Sequence, residues 1–189
     1  MFYALFLAGA AGASAFVVSM NLTSSTYMNC GSAHFCGVLA LESGDGPGNY
    51  HHEEPGLHGL WPQVDPYGDS PCVSPEGDKS ASVVQYMTCY TDEEFAEHEW
   101  TNHGYCAAST PDSFFTQACD LSYAPLKVMT SIKDSGGDID EMATTLETKG
   151  YEVWSIDNTN SQVSLVVCAG SDKKWKFSSV STFKSDCGK

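Results

Sequence analysis

The sequence predicts a single α+β domain in which an antiparallel sheet packs against helices and disulfides staple the fold. Strand-like apolar runs gather at both ends of the chain and helical patterns fill the middle, with no internal repeat and no linker. Eight cysteines occur without any Cys-x-x-Cys pair, which suits disulfides in an oxidising compartment better than a zinc ribbon. Cys30, Cys36, Cys72, Cys89, Cys106, Cys119, Cys168 and Cys187 are all expected to be bridged, in a pairing that spacing alone does not reveal.

Residues 1–15 are small and apolar and end Ala-Ser-Ala, the pattern of a secretory signal whose removal leaves residues 16–189 as the domain. No other stretch approaches the ~20 apolar residues of a membrane span. Phe16 to Met20 reads as a first strand, and Asn21-Leu22-Thr23 is a glycosylation sequon. Cys30 and Cys36 bracket a short loop and are close enough in sequence to pair. Phe35 to Leu41 reads as a strand, followed by a turn-rich insertion from Gly44 to Gly56. His51-His52-Glu53-Glu54 within it reads as a solvated loop, because adjacent side chains of extended chain point apart. The apolar run Gly56 to Trp61 is a strand that Pro62 ends, and Gln63 to Pro75 is a loop.

Ser80 to Tyr90 reads as a helix. Thr91 and Glu94 have the capping-box spacing for a second one, with Gly104 as its stop. Asp112 to Asp134 is helical with a break expected at Pro125. Asp138 caps an amphipathic helix whose stripe is Ile139, Met142, Ala143 and Leu146, and Gly150 ends it. Ser161 to Cys168 and Lys174 to Ser181 read as strands. Lys173, Lys174 and Lys176 around Trp175 suit either gatekeeper charges on an edge strand or a small nucleic-acid patch.

The chain carries 24 acidic against 9 basic residues, and protonating all six histidines brings its charge of −15 only to −9. A broad cationic surface for nucleic acid or anionic lipid is thereby excluded. Any nucleic-acid chemistry must use a small local site.

The residues able to do chemistry concentrate in Phe95 to Cys106, Phe-Ala-Glu-His-Glu-Trp-Thr-Asn-His-Gly-Tyr-Cys. With His98 at 0° on an α-helical wheel, Asn102 falls near ~40°, Phe95 near ~60°, Glu99 near ~100° and His103 near ~140°. One face then holds two imidazoles, a carboxylate, a carboxamide and an aromatic ring, the parts of an acid–base site. His98-Glu99-x-x-x-His103 almost matches a zinc-protease motif, but its histidines are five apart, which argues against one shared metal ion. No Gly-x-Ser-x-Gly nucleophile elbow is present. A second feature is His58, set between two glycines and followed by Trp61 and Pro62. Gly59 lets another group approach the backbone, and Trp61 offers a stacking face or a core ring.

His58-Gly-Leu-Trp-Pro and His98-Glu-Trp-Thr-Asn-His-Gly-Tyr-Cys106 resemble the two active-site segments of the ribonuclease T2 family, secreted or vacuolar acid endoribonucleases with an α+β fold. The resemblance implies that His103 takes the proton of the ribose 2′-OH and His58 protonates the leaving oxygen, giving a 2′,3′-cyclic phosphate. It implies that His98 contacts phosphate, that Glu99 stabilises the pentavalent state, and that Trp61 and Phe95 flank bases. It further implies a Cys72–Cys106 bridge, single-stranded RNA and not DNA as substrate, and no metal or other cofactor. No membrane association is expected, and a monomer is. The chain departs from the family at Asn102, where a lysine is usual, and a protonated His98 is expected to cover part of the deficit, making activity more dependent on low pH. A catalytically weakened member acting as an RNA-binding or storage protein is the alternative. Gln63 stands where some members carry an acidic base-reading residue.

Overall fold

Two long apolar strands form the middle of the sheet. In the computed structural model, which describes residues 28–62, 76–86 and 89–188, β1 (Phe35–Glu42) is buried along its whole length. It pairs antiparallel with β2 (Gly56–Pro62) on one side and with β4 (Gln162–Ala169) on the other. β3 (Val153–Asp157) and β5 (Trp175–Phe177) add to β4, also antiparallel, giving the order β2-β1-β4-β3 with β5 off that path. Alternate side chains of β1 feed two cores, which explains burial on both faces. Leu39 and Leu41 join Trp100, Phe114, Phe115, Met129 and Met142 under the helices. Cys36 and Val38 join Met28, Val166 and Phe183 on the opposite face.

The helical layer follows the sequence with corrections. α1 (Glu93–Glu99) is capped by Asp92, whose side chain accepts from the Phe95 N–H, one residue later than the Thr91 expected. Gly104 does not stop it. A π-helical turn, Trp100–Gly104, follows and leads into α2 (Tyr105–Ala107). Gly104 is required there by packing instead, since a Cβ would run into Trp100 and Phe114. Among the described residues of the stretch Ser80 to Tyr90, expected to be a helix, Val84–Tyr86 alone is helical, as a 3-10 turn. Asp78 takes the Ser80 N–H and hydroxyl into a local turn at the start of that stretch.

α3 (Pro111–Asp134) runs unbroken through buried Pro125. Phe114, Phe115 and Ala118 anchor one side of the proline and Met129 the other, and this packing outweighs the local preference for a break. α4 (Ile139–Thr148) has the predicted Asp138 cap and buries the predicted stripe, and Gly150 takes the left-handed φ of +92° just past its end. β3 was not visible in the sequence because its residues are half-buried or exposed without alternation. α5 (Phe183–Cys187) is too short to show a period, and the strand expected to reach Ser181 ends at Phe177.

Cys30–Cys36, Cys89–Cys119 and Cys168–Cys187 are bridged. Cys106 is also disulfide-bonded. Residues 1–15, the stretch Phe16 to Met20 expected to be a strand, Asn21, Gln63 and Cys72 lie outside the described residues. Among the described residues no helix is long and apolar enough to cross a membrane.

Candidate active site

The site begins with an irregularity in β2. The β1–β2 register runs Ala40↔Gly59 and then Leu41↔Leu57, so His58 is the extra residue of a β-bulge. A bulge redirects a side chain that regular pleating would send elsewhere. His58 is buried among Trp61, Phe95 and Tyr50, at ring-centroid distances of 4.8, 5.3 and 5.8 Å. The Tyr90 hydroxyl donates to its backbone carbonyl at 2.9 Å.

Two carboxyl groups flank the imidazole. Glu42 Oε1 lies 2.7 Å from His58 Nδ1, off the axis of the ring N–H, so the contact is an ion pair by proximity. Glu99 Oε1 lies 3.6 Å from Nε2 and accepts no hydrogen bond, although Glu99 is fully buried. Its other oxygen accepts from the Trp61 indole N–H at 2.9 Å. Gly59 makes this approach possible, because a Cβ there would collide with Glu99 Oε2 and the Trp61 indole nitrogen.

The two carboxyls titrate apart. Burial raises Glu42, but His58 and His52 more than offset it and hold the carboxylate below its ordinary range. Burial pushes Glu99 up to about 7, against the pull of His58 and the Trp61 bond. Burial lowers His58, yet Glu42 together with the charge of Glu99 outweighs it, leaving the imidazole above its usual value. Glu42 is therefore the ionised partner and Glu99 the proton-bearing one on the acid side of neutrality.

The second imidazole arrives through the π turn. Tyr105 N–H donates to the Trp100 carbonyl, an i→i+5 bond that takes an extra residue into the turn. His103 is thereby shifted from the position an α-helical wheel gives it. Among the described residues, no group of three or more His, Cys, Asp or Glu side chains is placed to hold a metal. The His103 ring stacks at a tilt on Trp61, 5.2 Å between centroids. Burial pushes His103 down to about 4, helped by the charges of His98 and His58.

His58, Trp61, Phe95, Glu99 and His103 thus meet in one place. His98 and Asn102 stand at its exposed edge. Asn102 Nδ2 donates to the His98 carbonyl at 2.8 Å and lies 3.1 Å from His98 Nδ1, so the carboxamide is spent on its own helix. Sequence reasoning missed Glu42 and Tyr90. A carboxylate ending a wholly apolar strand is a signal that could have found Glu42, since a buried acid needs a partner. The loop reading of His52 is also corrected. His51 is exposed as expected, but His52 turns inward and its Nε2 meets Glu42 Oε2 at 2.8 Å.

A sequence model of the Ribonuclease T2 family matches residues 30–169, which include every side chain of this cluster. The chain belongs to the ribonuclease T2 family. It is a T2-type endoribonuclease. Similar solved structures are RNase NT in complex with 5′-AMP, a mutant of RNase MC1 in complex with 5′-UMP, and Actibind. Identities are 14%, 19% and 19%, with TM-scores of 0.45, 0.45 and 0.49. These matches cover 75%, 74% and 82% of this chain, and 88%, 89% and 85% of the respective structures. No curated protein sequence matches the chain.

Proposed function

We propose that this endoribonuclease cleaves single-stranded RNA by transphosphorylation, with His103 as base and His58 as acid, and works in an acidic lumen or outside the cell. The observation that carries the roles is the opposite displacement of the two imidazoles beside one indole. A histidine held down to about 4 is neutral and able to accept a proton at mildly acid pH. One held above its usual value keeps a proton to give. Such a split between neighbouring groups is what acid–base catalysis requires.

In this reading His103 removes the ribose 2′-OH proton as O2′ attacks phosphorus. His58 Nε2 passes its proton to the departing O5′, and a 2′,3′-cyclic phosphate and a 5′-hydroxyl result. Glu99, still carrying its proton, turns its unpaired Oε1 into a hydrogen-bond donor for a non-bridging oxygen as charge grows there. Trp61 and Phe95 supply the apolar walls. The bridges Cys30–Cys36, Cys89–Cys119 and Cys168–Cys187 and the bonded Cys106 suit secretion.

The test is incubation of purified protein with RNA at pH 5 and pH 7, with and without EDTA. Chelator-resistant release of cyclic-phosphate ends, absent in His58→Ala and His103→Ala, is the expected result. Binding without cleavage would favour the storage reading, to which the self-bonded Asn102 lends support. Cleavage lost on chelation would overturn the metal-free mechanism.

A further inference from the structure

The chemistry above uses Nε2 of His58, and the opposite side of the ring holds an arrangement that chemistry does not call for. Glu42 is buried at the end of β1 and uses both oxygens, Oε1 on His58 Nδ1 at 2.7 Å and Oε2 on His52 Nε2 at 2.8 Å. The second nitrogen of His52 bonds the Glu54 carbonyl, so both its ring nitrogens face acceptors. We propose that Glu42 and His52 are positioning residues for His58, the carboxylate holding Nδ1 so that Nε2 alone faces the phosphate, and the second imidazole fixing the carboxylate. The proposal rests on the reading of His58 as the proton donor.

The loop that delivers His52 is held in place. Lys133 of α3 donates to the Ser43 carbonyl at 2.8 Å and the His52 carbonyl at 3.3 Å, and pairs with Asp45 at 3.1 Å. The Ser43 and Ser161 hydroxyls bond at 2.7 Å. Gly44 takes a φ of +85°, and a Cβ there would collide with the His52 carbonyl. Burial of an acid beside two histidines and a lysine-clamped loop is expensive to build unless it orients something.

The consequence follows from imidazole chemistry. A carboxylate 2.7 Å from Nδ1 favours by its charge a proton on that nitrogen, which leaves Nε2 to face the substrate, and stabilises the cation. Once Nε2 has given its proton to O5′, the ring keeps Nδ1–H toward Glu42. Its free Nε2 lone pair can then take a proton from the water that opens the cyclic phosphate. The titratable and polar groups facing His58 are Glu42 from β1, Tyr50 from the loop after it, Glu99 and His103 from the α1–π segment, and Gln162 from β4, with Tyr90 on its backbone. His52 acts one residue removed, through Glu42.

The experiment is an NMR titration of the His58 ring in the full chain, wild type against Glu42→Gln, Glu42→Asp and His52→Ala, with melting curves and cleavage pH profiles on the same samples. Glu42→Gln is expected to lower the His58 midpoint by about one pH unit or more. It should also cut kcat by ~10-fold or more with KM held. Glu42→Asp, which keeps the charge, should restore part of both, and it serves if the glutamine variant does not fold. His52→Ala should lower kcat without lowering the midpoint. A folded Glu42 variant whose His58 midpoint and cleavage profile match wild type overturns the proposal. Wild-type protein that titrates as stated yet leaves RNA intact would instead overturn the ribonuclease mechanism and leave the pairing standing.

Discussion

Glu99 Oε1 faces His58 Nε2 across 3.6 Å in a buried space, with no hydrogen bond of its own. The gap is too long for a direct bond. On the proposed mechanism, an oxygen of the scissile phosphate brought beside His58 Nε2 would give Glu99 Oε1 the partner it lacks. The π turn and the β-bulge serve the same end, since each adds one residue to a regular element and redirects one imidazole.

The pH profile of cleavage follows from these protons. On the proposed mechanism His103 must be neutral to act as base, so activity is expected to rise as pH climbs through about 4. On the same mechanism Glu99 must keep its proton to donate, so activity is expected to fall as pH climbs through about 7, where its ionised form would repel phosphate. The expected kcat/KM profile is a bell lying between those limits. In Glu99→Gln, where the donor cannot ionise, the alkaline limb should move up; an unmoved limb in that variant would remove Glu99 from the mechanism. Deleting the donor in Glu99→Ala should cost ~10²-fold or more in kcat.

Stability should show two opposed slopes. Glu99 has its folded-state value raised, so its contribution is intact below 4.5 and is lost as pH rises through about 7. The loss is about 3 kcal/mol on the scale of 1.36 kcal/mol per pH unit. His103 has its value lowered, so its contribution is intact above 6.5 and is lost as pH falls through about 4. The two offset each other in wild type between pH 5 and 6, roughly, by the same linkage. Chemical denaturation should therefore find Glu99→Gln gaining stability with rising pH, and His103→Asn losing it, across that window.

Gly59→Ala tests the close approach of the catalytic helix to β2. Its Cβ would occupy the position of Glu99 Oε2 and break the Trp61 bond. Overpacking of this kind costs ~1–3 kcal/mol, and a displaced Glu99 should lower kcat by ~10²-fold. A melting temperature and turnover both equal to wild type would show that Glu99 does not need this position.

Much of the site was legible because it is written in short motifs. His58, Trp61, Glu99 and His103 sit within two segments, and Gly59 between them could be read as a place for close approach. What escaped was set by tertiary contact. Glu42 is 16 residues before His58 in sequence and meets it only through the β1–β2 pairing and its bulge. His52 looked solvated because nothing in its loop shows that Lys133, 81 residues away, clamps it. The helix does not stop at Gly104 but continues through a π turn, and the glycine there leaves room for Trp100 and Phe114 to pack. The unbroken α3 likewise reflects core contacts on both sides of Pro125, which no local propensity records.

Asn102 offers the sharpest test of how the phosphate is met. Its carboxamide is bonded to the carbonyl and Nδ1 of His98, so it contributes no positive charge toward the site. A lysine at this exposed position would release the His98 ring and add a permanent cation whose hydrogen bonds are roughly twice as strong as those of a neutral donor. The gain should be largest near pH 7, where ionised Glu99 has left the phosphate with the fewest favourable partners. Asn102→Lys is therefore expected to raise cleavage at pH 7 several-fold and to change it little at pH 5. Asn102→Ala, which frees His98 without adding charge, should show no gain at pH 7. Equal rates for the lysine variant and wild type at pH 7, measured on the same RNA at low ionic strength where a cation acts most strongly, would mean that the phosphate does not pass the outer edge of the catalytic helix.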